Sequence, residues 1–185
     1  MRIITGSARG VKLETLEGEN TRPTLEKVKE AVFSMIQFEL EDATFLDLFA
    51  GSGQMGLEAL SRGAGTAVFV ENNPEAMAIV KKNAHKTRLY DRAKFSGGDY
   101  ADYLKQAKGR YTFDIIYLDP PYKDGSIPDI LKKIAEYGVV SPNGKVICES
   151  EDDVEYSADG FECERHKKYG RAYITLLRKK QEDVL

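Results

Sequence analysis

The spacing of hydrophobic and polar positions changes along this chain, and each change marks an element. Over residues 1–16 apolar residues alternate loosely around Gly6 and Gly10, as Ile3-Ile4 and Val11-Lys12-Leu13, which predicts a small hairpin ahead of the main fold. Thr21-Arg22-Pro23-Thr24 leads into a segment whose apolar positions Val28, Ala31, Val32, Met35 and Ile36 follow helical spacing, with Thr24 as the N-cap. One face of that helix should be buried. From residue 44 strand and helix patterns alternate: strands at 44–49, 67–71, 94–96, 113–118 and 145–149, helices at 53–62, 74–86, 100–107 and 129–137. Pro74 suits a first helical position. This alternation predicts an α/β, doubly wound, mostly parallel sheet. The tail departs from it, because 161–167 and 172–178 are strand-like runs joined by Lys168-Tyr169-Gly170-Arg171. Only a turn fits there, so the pair is antiparallel and brings the sheet to seven strands.

At 185 residues the chain fits one domain, 1–185, with residues 1–42 as a hairpin-and-helix extension and 43–180 as the core. Cys148 and Cys163 have no zinc-like spacing and read as small packed hydrophobes in a reducing cytoplasm. No apolar run is long enough to span a bilayer and no signal peptide opens the chain, so a cytoplasmic protein without a membrane partner is expected. A net charge of -3 and a pI near 5.6 do not advertise a nucleic-acid binder. Any such function must rest on local patches.

Asp119-Pro120-Pro121-Tyr122 closes the run 113–118, a pattern expected of a buried parallel strand whose carboxyl end lies on the ligand-binding rim of an open α/β sheet. Two prolines stiffen the loop and remove two N–H donors. What remains is a carboxylate, bare carbonyls and an aromatic face, a pocket for a planar amine. Between the first strand and its helix lies Asp47-Leu48-Phe49-Ala50-Gly51-Ser52-Gly53-Gln54-Met55-Gly56, a G-x-G-x-x-G turn of the Rossmann-like kind, with Glu71 about 20 residues on. By pattern alone this turn admits a nicotinamide dinucleotide. Asp47 argues otherwise, since a carboxylate just before the turn is unhelpful beside a pyrophosphate and well placed for an ammonium. S-adenosyl-L-methionine carries that ammonium and no phosphate. Glu71 would accept its ribose hydroxyls and Asp99, after Gly97-Gly98, its adenine amine. Capping explains any one of these acids, but four at the ends of four successive strands are harder to assign to caps.

These motifs resemble the class I S-adenosylmethionine-dependent methyltransferases that act on amino groups. Arg2-Ile3-Ile4-Thr5-Gly6, Thr21-Arg22-Pro23-Thr24 followed by Lys27-Val28-Lys29-Glu30-Ala31, and Lys168-Tyr169-Gly170 resemble more narrowly the RsmD family. The resemblance runs from Met1 to about Arg178. It implies methylation of N2 of a guanine in small-subunit ribosomal RNA, within an assembling subunit, by a monomer that needs no metal. Cofactor contacts are then expected from Asp47, Phe49, Ala50, Gly51, Ser52, Gly53, Glu71, Asn72, Asp99 and Tyr100. Asp119 and the Pro120 carbonyl would accept the two amine hydrogens, with Pro121 stiffening the loop and Tyr122 stacking on the base, and Asp119 would need no raised pKa for a late proton transfer. Candidate phosphate contacts are Arg2, Arg9, Lys12 and Arg22 early, and Lys123, Lys167, Lys168 and Arg171 late. Lys27 and Lys29 stand where the family pattern suggests arginine, and Asn72 where many class I members place an apolar residue against adenine. Readings kept open are amino-methylation of adenine or of a protein glutamine, a nicotinamide oxidoreductase, and a non-enzymatic RNA-binding module.

Overall fold

A computed structural model describes residues 1–16, 23–121 and 127–181. Thr21, Arg22, Tyr122 and Lys123 lie outside the described residues. Its elements run α1 (Pro23–Met35), β1 (Thr44–Asp47), α2 (Gln54–Ser61), β2 (Thr66–Glu71), α3 (Pro74–Lys86), β3 (Ala93–Gly97), α4 (Tyr100–Ala107), β4 (Phe113–Leu118), α5 (Ile127–Tyr137), β5 (Val140–Ser150), β6 (Phe161–Tyr169) and β7 (Ala172–Lys179). The seven strands form one sheet in the order β3-β2-β1-β4-β5-β7-β6. Strands β3 through β5 are parallel, and β7 pairs antiparallel with both β5 and β6. The expected mixed sheet and its antiparallel tail are therefore present.

Period-two alternation along the central strands sorts their side chains between two cores. Phe45, Ile115, Tyr117 and Ile147 pack with Val32, Phe33, Leu57 and Val80 of α1, α2 and α3. Leu46, Ile116, Leu118 and Val146 face the other way, onto Leu104 of α4 and Ile130 and Ile134 of α5. Each fully buried aliphatic or aromatic side chain contributes roughly 1.5–3 kcal/mol, so burying both faces holds the sheet's centre rigid beneath the rim. Local chemistry sets the helix starts. Pro74 opens α3, and the Asn73 side chain accepts from the Glu75 and Ala76 N–H groups.

The structure refines the sequence reading in several places, with most element bounds moving by one or two residues. α1 begins at Pro23, so Thr24 lies in its first turn rather than capping it. The amino-terminal hairpin is present but short, one antiparallel bridge from Arg2 to Lys12 with Ile3 N–H donating to the Val11 carbonyl, Gly10 N–H to that of Ile3 and Leu13 N–H to that of Met1. The residues of its bend donate to α2: Ile4 and Thr5 N–H to the Glu58 carboxylate, Ser7 N–H to the Ser61 carbonyl and Ala8 N–H to the Ser61 hydroxyl. Strand β5 starts at Val140 instead of 145, because Val140 pairs with Phe113 before the register shifts to Ile115–Lys145. Ser141-Pro142-Asn143-Gly144, loop-like in sequence, is absorbed as an irregularity in which Asn143 takes φ 60. Finally, Cys148 is buried but Cys163 is exposed on the edge strand β6, so only one cysteine is packed.

A buried ion cluster ties the amino-terminal segment down. Glu58 on α2 is wholly buried, lies 3.5 Å from the Lys29 ammonium of α1 and 2.8 Å from Arg62, and accepts the two N–H groups already named. Lys29 also donates to the Arg2 carbonyl at 2.6 Å. Its desolvation lowers the lysine pKa, and the Glu58 charge opposes that shift.

Candidate active site

At the carboxyl edge of the sheet a cavity of about 450 Å³ opens over β1, β2 and β4. Strand order reverses between β1 and β4, where the crossovers diverge to opposite faces, and such a switch point leaves a crevice. Leu16, Leu48 and Val70 give it apolar walls, and Phe49 packs against Tyr100 with ring centroids 5.2 Å apart. Glu71, Asn72, Asp99, Gly51, Asp119, Pro120 and Pro121, all among the anticipated residues, also line it.

The glycine turn has its shape for two reasons. Gly51 adopts φ 55, donates its N–H to Glu71 Oε2 at 2.8 Å, and has no protein atom within 4 Å of where a Cβ would stand. It keeps the backbone open towards the cavity. Gly56 serves packing instead, since a Cβ there would lie 2.3 Å from the Phe69 ring of β2. Ala50 donates to the Val70 carbonyl, and Ser52 is buried. Ser52, Gly53 and Ala50 shape the turn but do not line the cavity.

The acids separate into distinct roles. Glu71 holds the loops on either side, accepting from Gly51 N–H through Oε2 and from Asn73 N–H through Oε1, both at 2.8 Å. Asp99 caps α4 by accepting the Ala101 N–H at 2.7 Å, yet still lines the cavity. Asp47 does not line it. Only 1% exposed, Asp47 sits beneath the glycine turn and accepts the Gly56 N–H at 3.1 Å, near the positive end of α2. Burial pushes its carboxyl up to about 7, the Gly56 hydrogen bond opposes this, and the Glu71 charge adds to it.

Asp119 faces the cavity from the end of β4. It is open to solvent on that side, but the protein behind it and the neighbouring Glu149, Asp47 and Glu151 push its carboxyl pKa well above the ordinary range. The sequence reading did not require such a shift. Glu149, at the end of β5, was not among the anticipated site residues. It accepts a hydrogen bond from the buried Tyr117 hydroxyl, and burial raises its pKa while that bond opposes the shift. The rule that selected the other acids would have selected it too, since the predicted fifth strand already ended at Glu149. Among the described lining residues there are three acids and no lysine or arginine. Carboxylates crowded together without a cation fit a positively charged ligand and reject a pyrophosphate. An ammonium and a sulfonium match that chemistry.

Of the candidate phosphate contacts, Lys167, Lys168 and Arg171 lie at the β6–β7 turn. Because Tyr173 of β7 pairs with Ser150 at the carboxyl end of β5, this turn stands on the same rim as Asp119. Lys167 and Lys168 rest over the Tyr169 and Tyr173 rings. Arg2 pairs with Glu26, Lys12 is exposed beside it on the bridge, and Arg9 stands beyond Ala8, which is bonded to Ser61 at the far end of α2. Lys29, a position of interest in the family pattern, is buried against Glu58 and faces no solvent.

A mostly parallel sheet with an antiparallel strand beside β5, a glycine turn and an acid-lined cavity at the switch point are the architecture of the class I methyltransferases. The family described as "Conserved hypothetical protein 95" matches residues 1–178, and the chain belongs to it, the RsmD family. It is 37% identical to YlbH of Bacillus subtilis over 183 residues, covering 97% of this chain and 100% of that protein. Ribosomal RNA small subunit methyltransferase D of Haemophilus influenzae is 34% identical over 154 residues, 83% of this chain and 80% of that one. The solved structure of the yhhF protein of Escherichia coli superposes with a TM-score of 0.85 at 28% identity, over 98% and 99% of the two chains. Among the described residues no helix is long and apolar enough to cross a membrane.

Proposed function

We propose that this protein methylates the exocyclic N2 of a guanine in small-subunit ribosomal RNA. The observation that carries this reading is that Asp119 and Pro120 both line the cavity, next to each other at the end of β4. Relatives bearing the name ribosomal RNA small subunit methyltransferase D supply the substrate class.

When bound, S-adenosylmethionine supplies a methyl group already activated on a sulfonium. Glu71 and Asp99 would hold its ribose and adenine, with the aromatic pair Phe49 and Tyr100 beside them, and the buried Asp47 would add negative charge from beneath. The poor nucleophile is the amine, whose lone pair is delocalised into the guanine ring. Asp119 and the Pro120 carbonyl accept its two hydrogens and so turn the lone pair out of conjugation, an orientation effect of several kcal/mol. Asp119 must be ionised to accept. Its raised pKa is opposed by positive charge in the cavity, so the pocket favours the acceptor form once a cation is present. Asp119 afterwards receives the proton that the methylated nitrogen releases. Pro120 and Pro121 offer no N–H to compete with the amine.

The target base must leave its stack to reach this rim, and Lys167, Lys168 and Arg171 would hold flanking phosphates. Few cations and an acidic chain argue for a structured substrate, an assembling subunit in the cytoplasm rather than naked RNA. The test is mass mapping of small-subunit ribosomal RNA from cells lacking the protein, paired with labelled methyl transfer by the purified enzyme. Loss of one N2-methylguanine, restored by the wild-type chain and not by Asp119→Ala, is the expected result. An unchanged methylation map would overturn the reading.

A further inference from the structure

We propose that Glu149 is a specificity-determining residue, accepting the ring N1–H of the target guanine beside the amine held by Asp119 and thereby selecting guanine over bases whose N1 is an acceptor. The inference rests on the guanine-N2 reading above and deepens it.

The geometry comes from two adjacent parallel strands. Leu118 of β4 is the register partner of Cys148 of β5, so Asp119 and Glu149 are the next residues on neighbouring strands, at the same edge of the sheet. Strands in such a pair lie about 4.8 Å apart. Alternation places both on one face: Ile115, Tyr117 and Ile147 belong to the core under α1 and α2, while Ile116, Leu118, Val146 and Cys148 belong to the opposite core. The Tyr117 hydroxyl bonds to Glu149 Oε2, which fixes the carboxylate above that face. Among the described residues Tyr117 is its hydrogen-bond donor and no lysine or arginine is paired with it. Two carboxylates are therefore held side by side with one hydroxyl between them and the sheet.

An aspartate alone suffices to hold one amine. A second carboxylate beside it, partly desolvated and without a cation, is costly unless a ligand brings further donors. Guanine does so, since its Watson–Crick edge presents N1–H next to the C2 amine. Adenine presents an amine beside an unprotonated N1, whose lone pair would face the Glu149 carboxylate. Rejection by leaving a built acceptor unpaired is stronger than rejection by shape. β5 lies on the side of β4 away from β1 and β2, so Glu149 adjoins Asp119 without entering the cofactor cavity.

The experiment compares kcat/KM on small-subunit substrate carrying guanine or 2-aminopurine at the methylated position. 2-Aminopurine keeps the C2 amine but has no proton on N1. The quantity read is the change in the guanine to 2-aminopurine ratio between enzymes, which removes the intrinsic difference in amine reactivity. In Glu149→Gln the Tyr117 hydroxyl holds the amide oxygen and turns the NH2 towards the base. The ratio should fall about tenfold or more, through loss on guanine and gain on 2-aminopurine, with cofactor affinity unchanged. Tyr117→Phe, which frees the carboxylate without removing it, should lower the ratio less. It carries the test should the glutamine variant fail to fold. An unchanged ratio in folded variants that bind cofactor overturns the proposal while leaving guanine methylation standing. A wild-type enzyme that leaves guanine N2 unmethylated overturns both.

Discussion

Asp47→Asn should stabilise the cofactor-free protein at alkaline pH while weakening its grip on the cofactor. Asp47 is 1% exposed and its carboxyl is pushed up to about 7 by burial, from an ordinary value of 3.8. A raised native pKa means that the folded state binds more protons than the unfolded chain between those values, so the contribution to stability is fully present below about pH 3.8 and is lost as pH rises through about 7. At about 1.4 kcal/mol for each tenfold change in proton affinity, ionising this group in the fold costs up to ~4 kcal/mol by pH 8. Asparagine keeps the shape and an oxygen for the Gly56 N–H, and has no charge to desolvate. Urea unfolding at several pH values should therefore show the variant's advantage growing from near zero at about pH 4 to several kcal/mol at about pH 8. Calorimetry supplies the other half. Wild type should release protons on binding the cationic cofactor near pH 7, the variant fewer, and its Kd should rise. A variant equally destabilised at every pH would refute the argument, because it would mean that Asp47 is ionised and well paired in the free fold.

Glu71→Ala removes an acceptor that also bonds Gly51 and Asn73, so cofactor Kd measured by calorimetry should rise at least about tenfold, the scale of a lost charge-assisted hydrogen bond. Asp119→Ala should leave that Kd within a few-fold and cut single-turnover methyl transfer about a hundredfold or more, with Asp119→Asn retaining measurable activity because its amide oxygen still accepts. Since Asp119 works ionised and its pKa is raised, the wild-type rate should climb with pH above the ordinary carboxylate range; a flat profile would count against its role. Lys29→Met removes one of the two cations on the buried Glu58, leaving Arg62, and should cost about 1–3 kcal/mol in denaturant unfolding. Replacing Lys167, Lys168 and Arg171 together by alanine should raise KM for the RNA substrate and flatten its salt dependence, with cofactor binding unmoved.

Much of the scaffold was determined by the sequence alone, because strands and helices follow from local periodicity and turn chemistry. The run 113–118 and the helices 74–86 and 100–107 appear with those same bounds as β4, α3 and α4. Gly-x-Gly-x-x-Gly, Glu71, Asp99 and Asp119 could be placed on one rim because every parallel strand ends there, whatever its neighbours are. Which acids meet the cavity is a different matter. Asp47 and Asp119 read alike as strand-end carboxylates, yet only packing puts one beneath the glycine turn and the other on the wall. Glu149 stood at a predicted strand end within a run of acids, and only the β4–β5 register brings it beside Asp119 and under the Tyr117 hydroxyl. Lys29 and Glu58 lie on amphipathic helices where charge ordinarily marks a solvated face, but the amino-terminal segment lies over them and closes them off from water. Burial, pKa and the pairing of distant charges are properties of what covers a residue, and that is settled by contacts between segments far apart in the chain.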